Sequence, residues 1–120
     1  MADSSYDSKK AKKLLRELGI MPYYRGYQIT LLSLEQIAAD EACLTALKKE
    51  IYLPVSEKIC CNFATVEAEI RRTSERAWKN NPDLVSRIVL QELTHRPRVQ
   101  QFLEALYSTC CTESNVSTSL

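Results

Sequence analysis

Glycine is nearly absent from this chain, with two in 120 residues, and proline occurs only four times. So few breakers exclude a chain built on glycine turns and leave long regular elements with short joints, which favours helices. A single histidine, His95, leaves one candidate for a catalytic imidazole. No serine or cysteine nucleophile motif lies near it, so it reads as a solvated loop side chain and no catalytic residue is assigned. The five cysteines fall as Cys43, the pair Cys60-Cys61 and the pair Cys110-Cys111, without the two-residue gaps of metal sites. That spacing supports neither a zinc site nor a disulfide framework, and it fits reduced thiols in a cytoplasmic protein. No stretch approaches the roughly 20 apolar residues that span a bilayer, and Met1 to Ser5 has no apolar signal region. Neither a membrane partner, nor a cofactor, nor a small-molecule substrate is suggested.

A strong charge of one sign is also missing. The net charge of +1, from 16 basic and 15 acidic residues, is not the basic excess typical of a phosphate-binding domain, so any nucleic-acid reading must rest on local charge. One local excess is Lys9, Lys10, Lys12, Lys13 and Arg16, opposed by Glu17; another is His95-Arg96-Pro97-Arg98. A solvated helix face and a polar loop account for runs of this size without invoking a ligand.

What is present is a core. With 45% hydrophobic and 26% charged residues, 120 residues suit one domain. Residues 1–7 and 111–120 are expected to be disordered, which leaves a helical domain over 8–110. Ser8 is a plausible N-cap for a first helix carrying Ala11, Leu14, Leu15 and Leu18, and Gly19 is its stop. Ile20 to Gly26, with Pro22 and two tyrosines, reads as an extended connector. Tyr27 to Ala39 and Ala42 to Tyr52 read as the next helices, the second broken by Pro54, which opens a short helix Pro54 to Cys60. Cys60 should close that helix against the core, and Asn62 is the residue expected to take a left-handed turn. Two further helices are expected at Asp83 to Leu93 and Pro97 to Tyr107.

The segment between them carries the candidate chemistry. Phe63, Val66, Ile70, Thr73 and Ala77 recur at spacings of three and four, which puts them on one stripe of a helix from Ala64 to Lys79. Ala64, Ala68, Arg71, Arg72, Glu75 and Lys79 fall opposite. A short helix, a tight joint and a longer helix is the plan of a helix-turn-helix, although helix pairs of this kind also occur in ordinary helical packing. The small Ala64 and Ala68 would let the backbone approach a groove, while Arg71 and Arg72 could reach base edges or phosphates. Glu67, Glu69 and Glu75 oppose that reading. Trp78 reads as a packing anchor, and Tyr23, Tyr24 and Tyr27 read as a hinge rather than a stacking platform.

The run Leu14-Leu15-Arg16-Glu17-Leu18-Gly19-Ile20, then Arg25-Gly26-Tyr27, Ile51-Tyr52, Val66-Glu67, Ile70-Arg71 and Ala77-Trp78 resembles the C-terminal DNA-binding effector domain of the master sporulation response regulator of spore-forming Firmicutes. The likeness runs from Leu14 to Trp78 and more loosely to Tyr107. It implies an all-α fold, a compact bundle of about six helices containing a helix-turn-helix, with double-stranded DNA as partner and two copies able to bind tandem sites. It also implies a transcription regulator of sporulation-related type.

Carried over by position, Thr65 stands where the family has an arginine, Glu67 matches its glutamate, and Ala68 replaces another arginine. Arg71 matches an arginine, Arg72 stands at a histidine, and Ala64 stands at a serine. The DNA-binding set expected here is therefore Ala64, Thr65, Glu67, Ala68, Arg71, Arg72 and Lys79. Each lost bidentate arginine contact removes about 1–3 kcal/mol of base discrimination, so the family's target sequence does not transfer. The family's regulators also carry a receiver domain ahead of this one. Here 13 residues precede the resemblance, too few for an aspartate pocket, so the switch is expected either in a receiver-domain protein acting as partner or in a longer chain of which this sequence is a part. The alternative is a protein-interaction module of the same fold that has lost DNA binding and pairs with another regulator.

Overall fold

A computed structural model of the protein describes residues 6–111. Among these residues the fold is all-α: α1 (Ser8–Glu17), α2 (Arg25–Ala39), α3 (Leu53–Lys58), α4 (Phe63–Asn80), α5 (Pro82–Val89) and α6 (Val99–Thr109). Helix α2 is the centre. It packs most extensively on α4 and also meets α1, α3 and α6, so its Ile29, Leu34 and Ile37 are fully buried. Around them close Leu15 of α1 and Leu18 at its C-cap, Val66 and Ile70 of α4, and Phe102, Leu103 and Leu106 of α6.

The stop of α1 follows from Gly19, whose φ of +82° is open to glycine and strained for other residues. Its N–H donates to the Arg16 carbonyl at 2.9 Å and the Ile20 N–H to the Leu15 carbonyl at 2.8 Å, the paired bonds of a left-handed helix end. The chain turn is then locked from the far end of α4. Asn80 Nδ2 donates to the Leu18 carbonyl at 3.2 Å and Asn81 Nδ2 to the Glu17 carbonyl at 3.4 Å.

Several local expectations differ from the structure. The N-cap of α1 is Asp7, which accepts from the Lys9 N–H at 2.9 Å, and not Ser8. A carboxylate is a stronger acceptor than a hydroxyl and complements the helix dipole. Tyr6 and Asp7, placed by sequence in a disordered start, are described and held: Asp7 N–H donates to the Cys110 carbonyl at 2.9 Å, and the Tyr6 ring stacks on Tyr107 with centroids 5.9 Å apart. Cys111, expected to open the disordered tail, is likewise described and held, its N–H donating to the Ser108 carbonyl at 3.3 Å beside Tyr6; residues 1–5 and 112–120 lie outside the described residues.

Helix α2 begins at Arg25, inside the expected connector, and at Gly26 its backbone comes so close to α4 that a methyl group would run into Thr73 Oγ1. The expected helix over Ala42 to Tyr52 is split. A 3₁₀ turn spans Glu41–Thr45, and a π-type turn over Lys48–Tyr52 runs on into α3. Pro54 therefore does not break the chain there. It lacks an N–H for the Glu50 carbonyl four residues back, the wider winding absorbs the ring, and that carbonyl accepts from Gln36 Nε2 at 3.1 Å.

At the end of α3 the roles expected of Cys60 and Asn62 change hands. Cys60 is exposed and takes the left-handed conformation, with φ of 58°, because it is the position just past the cap where a helix end needs it. Asn62 is extended and caps α4. Helices α5 and α6 are shorter at Val89 and later at Val99 than expected; α5 ends where Leu90 turns left-handed, with φ of 66°.

Candidate nucleic-acid interface

Helix α4 is set up from its first residue. Asn62 Oδ1 accepts from the Thr65 N–H at 2.9 Å and from the Thr65 hydroxyl at 3.0 Å, satisfying an otherwise free amide of the first turn. That cap has a chemical consequence for Thr65. Its hydroxyl hydrogen is committed to Asn62, so toward any outside group Thr65 can only accept.

The helix divides into two faces. Val66, Ile70, Thr73, Ser74 and Ala77 are buried against the core, and half-buried Trp78 packs at its margin. Phe63, expected on the inner stripe, is instead exposed at the first turn, where Lys48 Nζ lies 5.9 Å from its ring centroid. On the other face Ala64, Arg71, Arg72, Glu75 and Lys79 are exposed, and Thr65, Glu67 and Ala68 are half-buried at its edges. All seven residues singled out from the sequence therefore lie on one helix, with the small side chains at its front and the cations behind. The short α3 and the joint of residues 59–62 precede it, and α3 packs on α4.

The electrostatics of this face are mixed. Arg72 Nη1 lies 3.3 Å from Glu69 Oε2, and Glu75 is met at 3.4 Å by Arg96 Nε from the loop before α6. Both acids on the flank of α4 are thus answered by arginines, which lowers their opposition to an incoming anion. Beneath the front of the helix Tyr52 is buried. Burial pushes its phenol above the usual range, the Glu67 carboxylate adds to the rise, and the Arg71 guanidinium opposes it. Glu67 and Arg71 consequently act on one buried ring from two successive turns.

Sequence reasoning passed over a second group beside this face. The connector and the start of α2 form, with the middle of α4, a cleft of about 340 Å³ lined by Tyr23, Tyr24, Arg25, Glu69, Arg72 and Arg76 among others. The Arg76 guanidinium lies 4.1 Å over the Tyr24 ring, and Tyr23 meets Tyr24 edge-on at 5.0 Å. Arg76, four residues after Arg72, was visible on the helical wheel. Nothing in the sequence placed Arg25 next to it, because that contact depends on the close approach at Gly26.

No group of three or more histidine, cysteine, aspartate or glutamate side chains able to hold a metal occurs among the described residues. Nor is any described helix long and apolar enough to cross a membrane. A family model described as sporulation initiation factor Spo0A C terminal matches residues 11–110. No curated protein matches the chain. The family match covers α1 through α6 almost completely and includes the whole of α4, so the chain belongs to the Spo0A C-terminal family of DNA-binding effector domains, a regulatory family rather than a family of enzymes.

Proposed function

We propose that this protein is a transcription regulator that binds duplex DNA through α3 and α4 acting as a helix-turn-helix, with α4 laid in the major groove. The observation that carries the reading is the outward side of α4, small at the exposed Ala64 and the half-buried Ala68 and cationic at the exposed Arg71, Arg72 and Lys79. Small residues near the front let the helix backbone sink between the strands, and arginines one turn further on reach base edges or the groove wall. Thr65 serves as an acceptor only, facing a base amino group, since Asn62 takes its hydrogen. Glu67 can accept from a cytosine amino group. With no arginine at 65 or 68, base selection rests on Arg71 and Arg72, and the preferred sequence differs from the family's. Two copies on tandem sites and control through a receiver domain complete this reading.

A salt-dependent mobility shift on random-sequence duplex tests it. Wild type should bind with a dissociation constant on the order of 10⁻⁴ to 10⁻⁶ M near physiological salt, and more tightly at low salt. Arg71→Ala plus Arg72→Ala should weaken binding at least tenfold and flatten the slope of affinity against salt by up to about two.

The second reading is the interaction module of the same fold. It is favoured by Glu69, whose carboxylate engages Arg72, a residue the DNA reading needs. Absence of wild-type binding at low salt would decide for the module.

A further inference from the structure

We infer that the cleft between residues 20–26 and the middle of α4 is a phosphate site that clamps one backbone phosphodiester at the wall of the groove α4 occupies. The inference rests on the DNA reading above and adds a contact that lies off the reading face. Three arginines, Arg25, Arg72 and Arg76, line the cleft with a single acidic residue, Glu69, a local charge of +2 in a chain whose whole net charge is +1. Among the described residues neither Arg25 nor Arg76 is engaged in a salt bridge.

The geometry suits a phosphate better than an apolar guest. The Arg76 guanidinium carbon lies 4.1 Å over the Tyr24 ring centroid, a cation–π contact that holds the group at the cleft while its N–H donors can still serve oxygen atoms. Tyr23, 80% exposed at the mouth, has a phenol able to donate to a phosphate oxygen. Gly26 brings the α2 backbone against Thr73 without a side chain between them, so backbone and a hydroxyl line the cleft there beside Ile20.

Position along α4 fits as well. Arg76 lies eight residues beyond Ala68, roughly 12 Å along the axis at 1.5 Å per residue. The major groove is about 12 Å wide, so a helix with Ala68 between the strands brings Arg76 to the groove wall, where the phosphates are. Arg72 spans the two settings. It leaves Glu69 and turns to the phosphate when DNA arrives, so Glu69 is the internal competitor for the site.

Two measurements test the clamp. In salt-dependent binding to random duplex, Arg25→Ala plus Arg76→Gln should lower the slope by about 0.9 and weaken binding several-fold on every sequence, while Arg76→Lys should keep the slope. Glu69→Gln should tighten binding. An unchanged slope in the double variant, with an unchanged melting curve as proof of folding, overturns the clamp. Titration of inorganic phosphate into the wild type, followed by amide shifts at Tyr24, Arg25 and Gly26, supplies a readout without DNA. A saturable shift that the double variant loses supports the site, and no saturable shift overturns it. If the wild type fails to bind duplex yet shows the phosphate shift, the DNA reading falls and the anion site stands.

Discussion

The inward face of α4 carries Val66, Ile70, Thr73, Ser74 and Ala77, every one buried, whereas its outward face carries Ala64, Arg71, Arg72, Glu75 and Lys79, every one exposed. The two faces share a backbone, a cap and a length, but different forces decide their residues. Inside, each side chain must fill a volume left by α2, α3 and α6, and a wrong size is felt at once. Outside, few contacts of the fold bear on the residue, the Glu75–Arg96 pair being one. An exposed residue there can therefore change while α4 keeps its place.

The sharpest way to break that division is to cut into the inner face. Ile70 is fully buried at the junction of α4 with α2. Ile70→Ala should lower stability by about 2–5 kcal/mol, read from the midpoint of a urea or thermal melt, and DNA binding should fail only in step with unfolding. A loss of under about 1 kcal/mol would mean that the α2–α4 contact is not the core of the domain. A smaller effect is expected at the helix start, where the two faces meet. Asn62→Ala frees the Thr65 amide and should cost about 1 kcal/mol by the same melts. It also releases the Thr65 hydroxyl, which Asn62 otherwise holds at 3.0 Å. The variant should therefore alter base preference at the position Thr65 faces, measured by selection from a random pool, although residue 62 lies outside the reading face. An unchanged preference would leave Thr65 with no role in reading.

How much of this was legible beforehand follows the same division. Gly19 as a helix stop, the apolar positions of α1, and the stripe Val66, Ile70, Thr73 and Ala77 could be read because burial imposes period and chain reversal demands a specific backbone. Ala64, Arg71, Arg72, Glu75 and Lys79, which the same period puts opposite that stripe, are exposed, and Ala68 is half-buried. The segment from Ala42 to Cys60 was not legible in detail, because three outcomes there depend on neighbours distant in sequence. Pro54 is absorbed by a wide turn whose free Glu50 carbonyl is taken up by Gln36 from α2, and no local pattern records that partner. Cys60 turns left-handed although Asn62 is the better residue for it, because the position past the cap is set by where α3 must stop. The cleft of Arg25 and Arg76 was missed because it joins residues about fifty apart through Gly26. Sequence periodicity shows which side of a helix is inside; it does not show which other element comes to lie against the outside.

The smallest expected effect is the most exacting test of the comparison. Arg71 and Arg72 are exposed, and the only ion pair either makes among the described residues is Arg72 with Glu69, at 3.3 Å and three positions apart. A pair of that spacing on an exposed helix face contributes about 0.2–0.5 kcal/mol, screened further by salt. Arg71→Ala plus Arg72→Ala should therefore shift the unfolding free energy by no more than about 0.5 kcal/mol, partly offset by the higher helix propensity of alanine. The same double variant should lose at least tenfold in DNA affinity. A stability loss of about 2 kcal/mol or more would place the arginines in the scaffold, and the drop in binding would then report unfolding. Stability held within about 0.5 kcal/mol alongside that loss of affinity would separate the face that makes the helix from the face that uses it.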